Sequence, residues 1–518
     1  MKQTLVVDTF TGGRMGPDEP MVGPITVGDS IRAVTAPGCC GPLITTHFRG
    51  AHEVTTPVEV LGAEAGDAIA LRIGHIKIRS AATSSGVSFK HAERWTDEGL
   101  RRCPICETTS PKSVVEGIGP SSIRCAECGA EISPVGFHEG YTAVFDDHHT
   151  VGLSVPKASA EEIARSARVA AGLPPNAEQN SILLFGMASM VGTLIRVRPF
   201  IGHVGTCPSA EIPDSSNAGD SAMHLVGATH AFGFRDEPDM REHVTDAHID
   251  SDAVTTGAIL ICPVKRKGGG IYFGDVHAIQ GEGELAGHTL DVSADVEIGI
   301  LGVLPGLGLD GPILLPPEEF LAPAMRPYTA EELAAGQEIA QQHNVELEAM
   351  GPIEFIGTGA TTDAASENAL DRAERLLGLS RAELRNRCTV TGGVRIGRLG
   401  TVRLGLLAPL RILDKLNLGR SCESSTGYLG AKIRRCLESD HAKRDSNPPS
   451  HQLVGYCGPK TGMIFLRLTP KRHVMSSCQI LLDFLVNSGE NLRSSGKFAD
   501  AGRRSLPLAL LWLTSRPL

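Results

Sequence analysis

The stretch that decides the reading is Gly268–Gly287, GGGIYFGDVHAIQGEGELAG, in which Asp275, His277, Gln280, Glu282 and Glu284 fall within ten residues bounded by glycines. Before it stand an apolar run, Ala258–Val264 (AILICPV), and the turn-like Lys265–Gly270 (KRKGGG). That order predicts strand, hairpin turn, strand. In an extended segment Asp275 and His277 share a face, because side chains alternate with period two. Gly281 and Gly283 allow the sharp bend that returns Glu282 or Glu284 toward that face. Two carboxylates and an imidazole on one surface suit either a divalent metal ion or metal-free acid–base chemistry. The competing reading is a glycine-rich hairpin with solvated charges.

Working outward, the first 320 residues read as short strands broken by glycine and proline: Val54–Val60, Ala68–Ile78, Leu194–Val197, Ala258–Val264 and Leu290–Gly302. Short strands without intervening amphipathic helices predict a mainly β body, a sandwich or barrel-like structure. A few mostly late helices make the chain α+β overall. Ala160–Gly172 has helical spacing and a glycine stop. Thr329-Ala330-Glu331-Glu332 is a capping-box pattern opening a helix to about His343, Ser366 is read as the cap of ENALDRAERLLGL, and Ser380-Arg381-Ala382-Glu383 repeats the capping logic.

The segment Gly274–Glu284, GDVHAIQGEGE, resembles the GDxHAxQGDGE signature of the acetamidase/formamidase family, with Glu282 in place of the usual aspartate. Three further blocks fall in the family's order. Thr56–Asp67 resembles its GPVxVxGAxPGD segment, and Pro199–Pro208 (PFIGHVGTCP) resembles its PFxGxxGxAP. Asp250, Gly257 and Pro263-Val264 follow its NMDxxxLxxGxxxxxPV, with His248 and Ile249 replacing the asparagine and methionine. The resemblance covers roughly residues 1 to 400 and implies a β body, here 1–80 plus 180–400, that hydrolyses small linear amides of the formamide and acetamide class and forms a homo-oligomer.

No GxSxG elbow or catalytic-cysteine context is present, and metal-bound hydroxide is the simpler route to a resonance-stabilised carbonyl. Asp275, His277 and Asp250 are then the expected ligands of a divalent ion, Zn2+ by choice. Glu284 is the expected general base, or a fourth ligand with Glu282 as base, and Gln280 is expected to hydrogen-bond the substrate. The metal-free alternative uses paired carboxylates. His47 and His203 are minor candidates facing the substrate, with His52 ranked slightly below His47. Substrates sharing the acyl–nitrogen bond (carbamates, ureas, substituted amides) stay open, as does a non-catalytic adaptor.

Residues 81–179 are read as an insertion. Within it, Cys103-Pro-Ile-Cys106 and Cys125-Ala-Glu-Cys128 form a CxxC-x18-CxxC pattern, the spacing of a four-cysteine zinc ribbon. All four ligands would be thiolates, so this Zn2+ has no open position and is structural. The insertion ends in Asp146-Asp147-His148-His149, a ligand-bearing cluster that more often marks a solvated loop.

Of 518 residues 41% are hydrophobic, with 59 glycines and 32 prolines, a composition that excludes wholesale disorder. Residues 1–418 carry 34 basic and 52 acidic side chains, and residues 419–518 carry 15 and 7. An acidic body argues against a nucleic-acid partner. No leader or run of ~20 apolar residues is visible, so no membrane partner and a cytoplasmic location are expected. Residues 420–518 are read as a basic extension without assigned function.

Overall fold

The computed structural model describes residues 2–38, 44–48, 52–84, 87–88, 102–118, 121–132, 136–137, 140–180, 190–213, 241–419, 455–457 and 464–466. Two units separate, Met1–Asp440 and His441–Leu518. In the second, Gly455–Cys457 pairs antiparallel with Ile464–Leu466; the rest of the basic extension lies outside the described residues.

The first unit is built on two nine-stranded sheets. One runs Thr4–Val6, Ser30–Val34, Ala294–Leu304, Ala68–Ile78, Ile259–Pro263, Ile313–Leu315, Met350–Thr358, Thr401–Pro409, Gly393–Ile396. The other runs Leu194–Arg196, Val151–Ser154, Tyr141–Phe145, Ala82–Ser84, Asp291–Val292, Gly269–His277, Val58–Val60, Val22–Ile25, with Phe200–Thr206 also paired to Gly269–His277. Their inner faces share one core that joins Leu71, Ile73, Leu260 and Ile298 to Val58, Ile271, Phe273 and Val292. The expected mainly β sandwich is therefore present.

The apolar run Ala258–Val264 is continuous because its strand is buried on both faces. Leu260 and Cys262 face the inter-sheet core. Ile259 and Ile261 join a second core with Phe355, Leu404 and the helices Thr362–Leu377 and Arg381–Thr391. The first of these helices lies close because Ala365, Ala369 and Ala373 form its inner stripe. A Cβ at Gly357, opposite, would stand 2.2 Å from the Ala365 carbonyl.

The expected hairpin is instead a corner. Ile259–Pro263 belongs to one sheet and Gly269–His277 to the other. Gly268, Gly269 and Gly270 turn the chain between them with φ of 77°, 68° and 68°. A Cβ at Gly269 would lie 2.5 Å from Ile69 Cδ1, and one at Gly270 2.7 Å from Cys207 Sγ. Glycine is thus required twice over, by backbone angle and by the close approach of the layers.

The capping box at Thr329 forms as expected and opens Ala330–Gln342, and Ser380 caps Arg381–Thr391. Ser366 does not cap: Thr361 does, one turn earlier, and the Ser366 hydroxyl donates back to the Thr362 carbonyl at 2.7 Å. Ala160–Gly172 divides into Lys157–Ala164 and Ala167–Ala170. The Asp146–His149 cluster is a hairpin turn, in which Asp146 accepts from the backbone N–H of His148, Thr150 and Val151. Those bonds use the carboxylate in place and leave the turn's bland reading standing. Among the described residues no helix is long and apolar enough to cross a membrane.

Candidate active site

Asp275 sits near the end of Gly269–His277 with φ +52°, a left-handed conformation that breaks the strand's alternation locally. It nonetheless meets His277, whose Nε2 lies 3.2 Å from Asp275 Oδ1 and 3.4 Å from Asp291 Oδ1. Asp291 arrives because its strand pairs with His277 in register. The other His277 nitrogen has a fixed role. Gln280 Nε2 donates to the carbonyls of Asp250 (2.7 Å) and Gly397 (3.0 Å), so Gln280 Oε1 is the atom facing His277 Nδ1 at 3.0 Å. An amide oxygen only accepts, so Nδ1 carries the proton and Nε2 points at the carboxylates.

On the other side of Asp275, His52 Nδ1 is 3.5 Å and His248 Nε2 3.7 Å from Oδ2. His248 Nε2 also contacts Asp250 Oδ2 at 2.7 Å. The rings of His203 and His248 stack at 4.8 Å, with His52 edge-on to both. Arg398, fully buried, donates through Nε to the His248 carbonyl at 3.2 Å and lies 3.9 Å from Asp250 Oδ2. The backbone around the site has no room for side chains. A Cβ at Gly38 would stand 1.6 Å from Asp275 Oδ1, and one at Gly202 2.3 Å from Asp250 Oδ1.

Asp275, Asp250, His277, His248, His203 and Asp291 are all under 5% exposed. Burial opposes ionisation of Asp275, but His52, His277 and His248 together hold its carboxyl well below the usual range. Burial likewise disfavours charge on His277, and Asp275 and Asp291 reverse this and push it well up. His203 is pushed well down by burial and by His248 and His52, so it is a neutral imidazole. Burial, with Asp250 beside it, raises Glu284 well above an ordinary glutamate.

The residues fit a divalent cation. Donor atoms of His248, Asp250 and Asp275 lie within 4.8 Å of one another, and so do those of Asp275, His277 and Asp291 and those of His52, His203 and His248. Among the described residues, Asp250 Oδ1 and Asp275 Oδ2 are buried without a hydrogen-bond donor. Buried carboxylate oxygens in that state cost several kcal/mol unless a cation compensates them.

Of the expected site residues, Asp250, Asp275, His277, Gln280, Glu284 and His203 come together. Glu282 does not: it is an exposed side chain paired with Arg395. Gly283, at φ +90°, stands between the exposed Glu282 and the buried Glu284. His47 also lies apart, 3.6 Å from Glu178, whereas His52 joins Asp275. A five-residue spacing separates two faces only in an extended strand, and here Phe48 N bonds Thr45 O and the segment turns. His248, Asp291 and Arg398 were not expected. The one available signal for Asp291 was a charge between Leu290 and Val292 in an apolar strand.

In the insertion, Cys103 Sγ stands 3.5 Å from Cys128 Sγ and Cys106 Sγ 3.8 Å from Cys125 Sγ, with all four sulfurs mutually within 4.8 Å. Four thiolates at ~2.3 Å from a tetrahedral zinc are roughly 3.8 Å apart, so the group is pre-shaped for that ion. Between the two cysteine pairs, Ser113–Val115 and Ile123–Cys125 pair antiparallel. The insertion's flanking strands, Ala82–Ser84, Tyr141–Phe145 and Val151–Ser154, extend the second sheet.

Fold and site together define a β-sandwich protein with a buried carboxylate–imidazole centre. The chain belongs to the Acetamidase/Formamidase family, whose profile matches residues 14–378, and it is an amide hydrolase acting on carbon–nitrogen bonds. Among solved structures it is similar to a predicted acetamidase/formamidase of Thermoanaerobacter tengcongensis (16% identity, 81% of this chain and 99% of that chain, TM-score 0.44). Similar too are acetamidases of Bacillus halodurans (14%, 80% and 99%, 0.44) and Yersinia enterocolitica (15%, 80% and 93%, 0.44). None of the curated proteins matches the chain.

Proposed function

We propose that this amidase hydrolyses small linear amides to carboxylate and ammonia, with His248, Asp250 and Asp275 holding a divalent ion and Glu284 moving the proton. The observation that carries the reading is the meeting at Asp275 of two buried donor sets, His248–Asp250–Asp275 and Asp275–His277–Asp291, with Asp250 Oδ1 and Asp275 Oδ2 accepting no hydrogen bond among the described residues. A bound divalent ion lowers the pKa of water toward ~7 and polarises a carbonyl. The chain's own groups do the rest. His277 is oriented by Gln280 at Nδ1 and presents Nε2 to Asp275 and Asp291. Arg398 offsets the negative charge of Asp250. Glu284, whose carboxyl is raised by burial and by Asp250, is the group proposed to take a proton from water and return it to the leaving nitrogen.

The test is ammonia release from formamide, acetamide, propionamide and urea before and after chelation. Turnover of at least one linear amide that falls on chelation and returns with metal is expected; undiminished turnover by metal-free protein refutes the metal reading. The two glutamates separate cleanly. Glu284→Gln is expected to lower kcat by about 10²–10⁴, the usual range for a general acid–base group. Glu282→Gln removes only an exposed ion pair, worth ~1 kcal/mol or less, and should change kcat/KM less than threefold.

The ribbon is proposed to hold one structural zinc. Cys106→Ser should reduce zinc by one equivalent per chain in metal analysis. Retention of the full complement would show that the thiols do not bind it.

A further inference from the structure

We propose that the four-cysteine ribbon is a clamp that positions the active-site wall, acting through Ile44, Ser113 and Asn180. This rests on the zinc reading of the ribbon and on the amidase site described above. The ribbon's small core is not self-contained: Ile44, from the body, is buried among Cys103, Ile123, Cys125 and Ile132. Two of those four are ligand cysteines, so the packing around Ile44 depends on the thiolates being gathered.

Polar bonds fix the same contact. Ser113 lies opposite Cys125 in the ribbon's strand pair. Its hydroxyl donates to the Ile44 carbonyl at 2.7 Å and accepts from Thr46 N at 3.3 Å and Asn180 Nδ2 at 2.6 Å. Thr46 Oγ1 donates to the Pro111 carbonyl at 2.5 Å. Asn180 also donates from Nδ2 to the Ile44 carbonyl (3.1 Å) and from its backbone N–H to Thr45 Oγ1 (2.8 Å). Buried polar nodes of this kind, when fully satisfied, fix one geometry.

From Asn180 the connection reaches the site in one residue. The backbone N–H groups of Glu178 and Gln179 donate to the buried Glu53 carboxylate at 2.7 and 2.9 Å, and Glu53 adjoins His52, the partner of Asp275. Gln179 Nε2 donates to the Gly38 carbonyl at 2.8 Å, and Gly38 is the residue pressed against Asp275 Oδ1. His47 finds its role here as well, paired with Glu178 across the same seam at 3.6 Å. The wall around Asp275 is thus held at both places, beside His52 and at Gly38, through residues 178 and 179, which adjoin the Asn180 that the ribbon grips.

The experiment compares the full-length protein with Ser113→Ala and with the Cys103→Ser/Cys106→Ser double variant. It reads metal content, ammonia release and hydrogen–deuterium exchange in peptides covering 44–48 and 176–180. The double variant should lose one zinc, exchange at least tenfold faster in both peptides, and drop kcat/KM tenfold or more with the second metal retained. Ser113→Ala keeps every cysteine and all metal, yet should show faster exchange in the same peptides and a severalfold fall in kcat. Wild-type exchange in both peptides for both variants overturns the clamp, as does full kcat/KM in a double variant shown to have lost its zinc. Should the unaltered protein hold no zinc that the cysteine variant loses, the zinc reading alone fails, and Ser113→Ala still decides the clamp. Should no amide be turned over, the exchange measurement decides it.

Discussion

Asp275→Asn is expected to lower kcat/KM by about a thousandfold or more, equivalent to ~4 kcal/mol of barrier, and to remove the metal proposed for the body while leaving the zinc proposed for the four cysteines in place. The replacement preserves shape and hydrogen-bonding size, so the loss is of charge. Asp275 is the residue on which both halves of the centre meet, with His277 on Oδ1 and His52 and His248 on Oδ2. An amide there leaves the raised His277 without its nearest counter-charge and takes one anionic ligand from a cation. Kinetics with metal analysis of the purified variant check this. Unchanged kcat/KM would end the assignment of this cluster as the catalytic centre.

Gly38→Ala is expected to be nearly as damaging to turnover though it alters no chemical group. Its new methyl would fall 1.6 Å from Asp275 Oδ1 and 2.7 Å from Cγ, closer than non-bonded atoms can approach. Either the carboxylate rotates away from His277 or the backbone at 38 retreats. Overpacking of this sort costs ~1–3 kcal/mol of stability, a few degrees of Tm in a body this large, whereas turnover should fall at least a hundredfold. Gly299→Ala serves as control. Gly299 lies mid-strand with nothing within 4 Å of where the added methyl would stand, and the change should be neutral in both assays. Equal kcat/KM in the Gly38 and Gly299 variants would mean that the wall at Gly38 is not part of the working site.

The local pattern carries the chemistry further than it carries the topology. Asp275, His277, Gln280 and Glu284 are neighbours in sequence, and glycine spacing alone separates the inward Glu284 from its neighbour. A hairpin and a sheet-to-sheet crossing share the same glycines and apolar flanks, so the corner at Gly268–Gly270 reads as a hairpin. What distinguishes them is burial on both faces of Ile259–Pro263, which a continuous apolar run permits without requiring. Asp291, His248 and Arg398 reach the centre by strand pairing and loop return across long separations in the chain. No periodicity records those distances. His52 ranks too low in the sequence for a related reason, since alternation holds only in extended backbone.

Three carboxylate-bearing residues of the centre occupy left-handed backbone: Asp250 at φ +44°, Asp275 at +52° and Glu284 at +43°. Such conformations cost ~1 kcal/mol or more for residues with a Cβ, and glycine adopts them freely. A screen for heat-resistant variants of this chain would therefore be drawn toward glycine at these three positions. Each such gain would discard a proposed metal ligand or the proposed proton carrier, so on that reading the hardiest molecules recovered would be the catalytically dead ones.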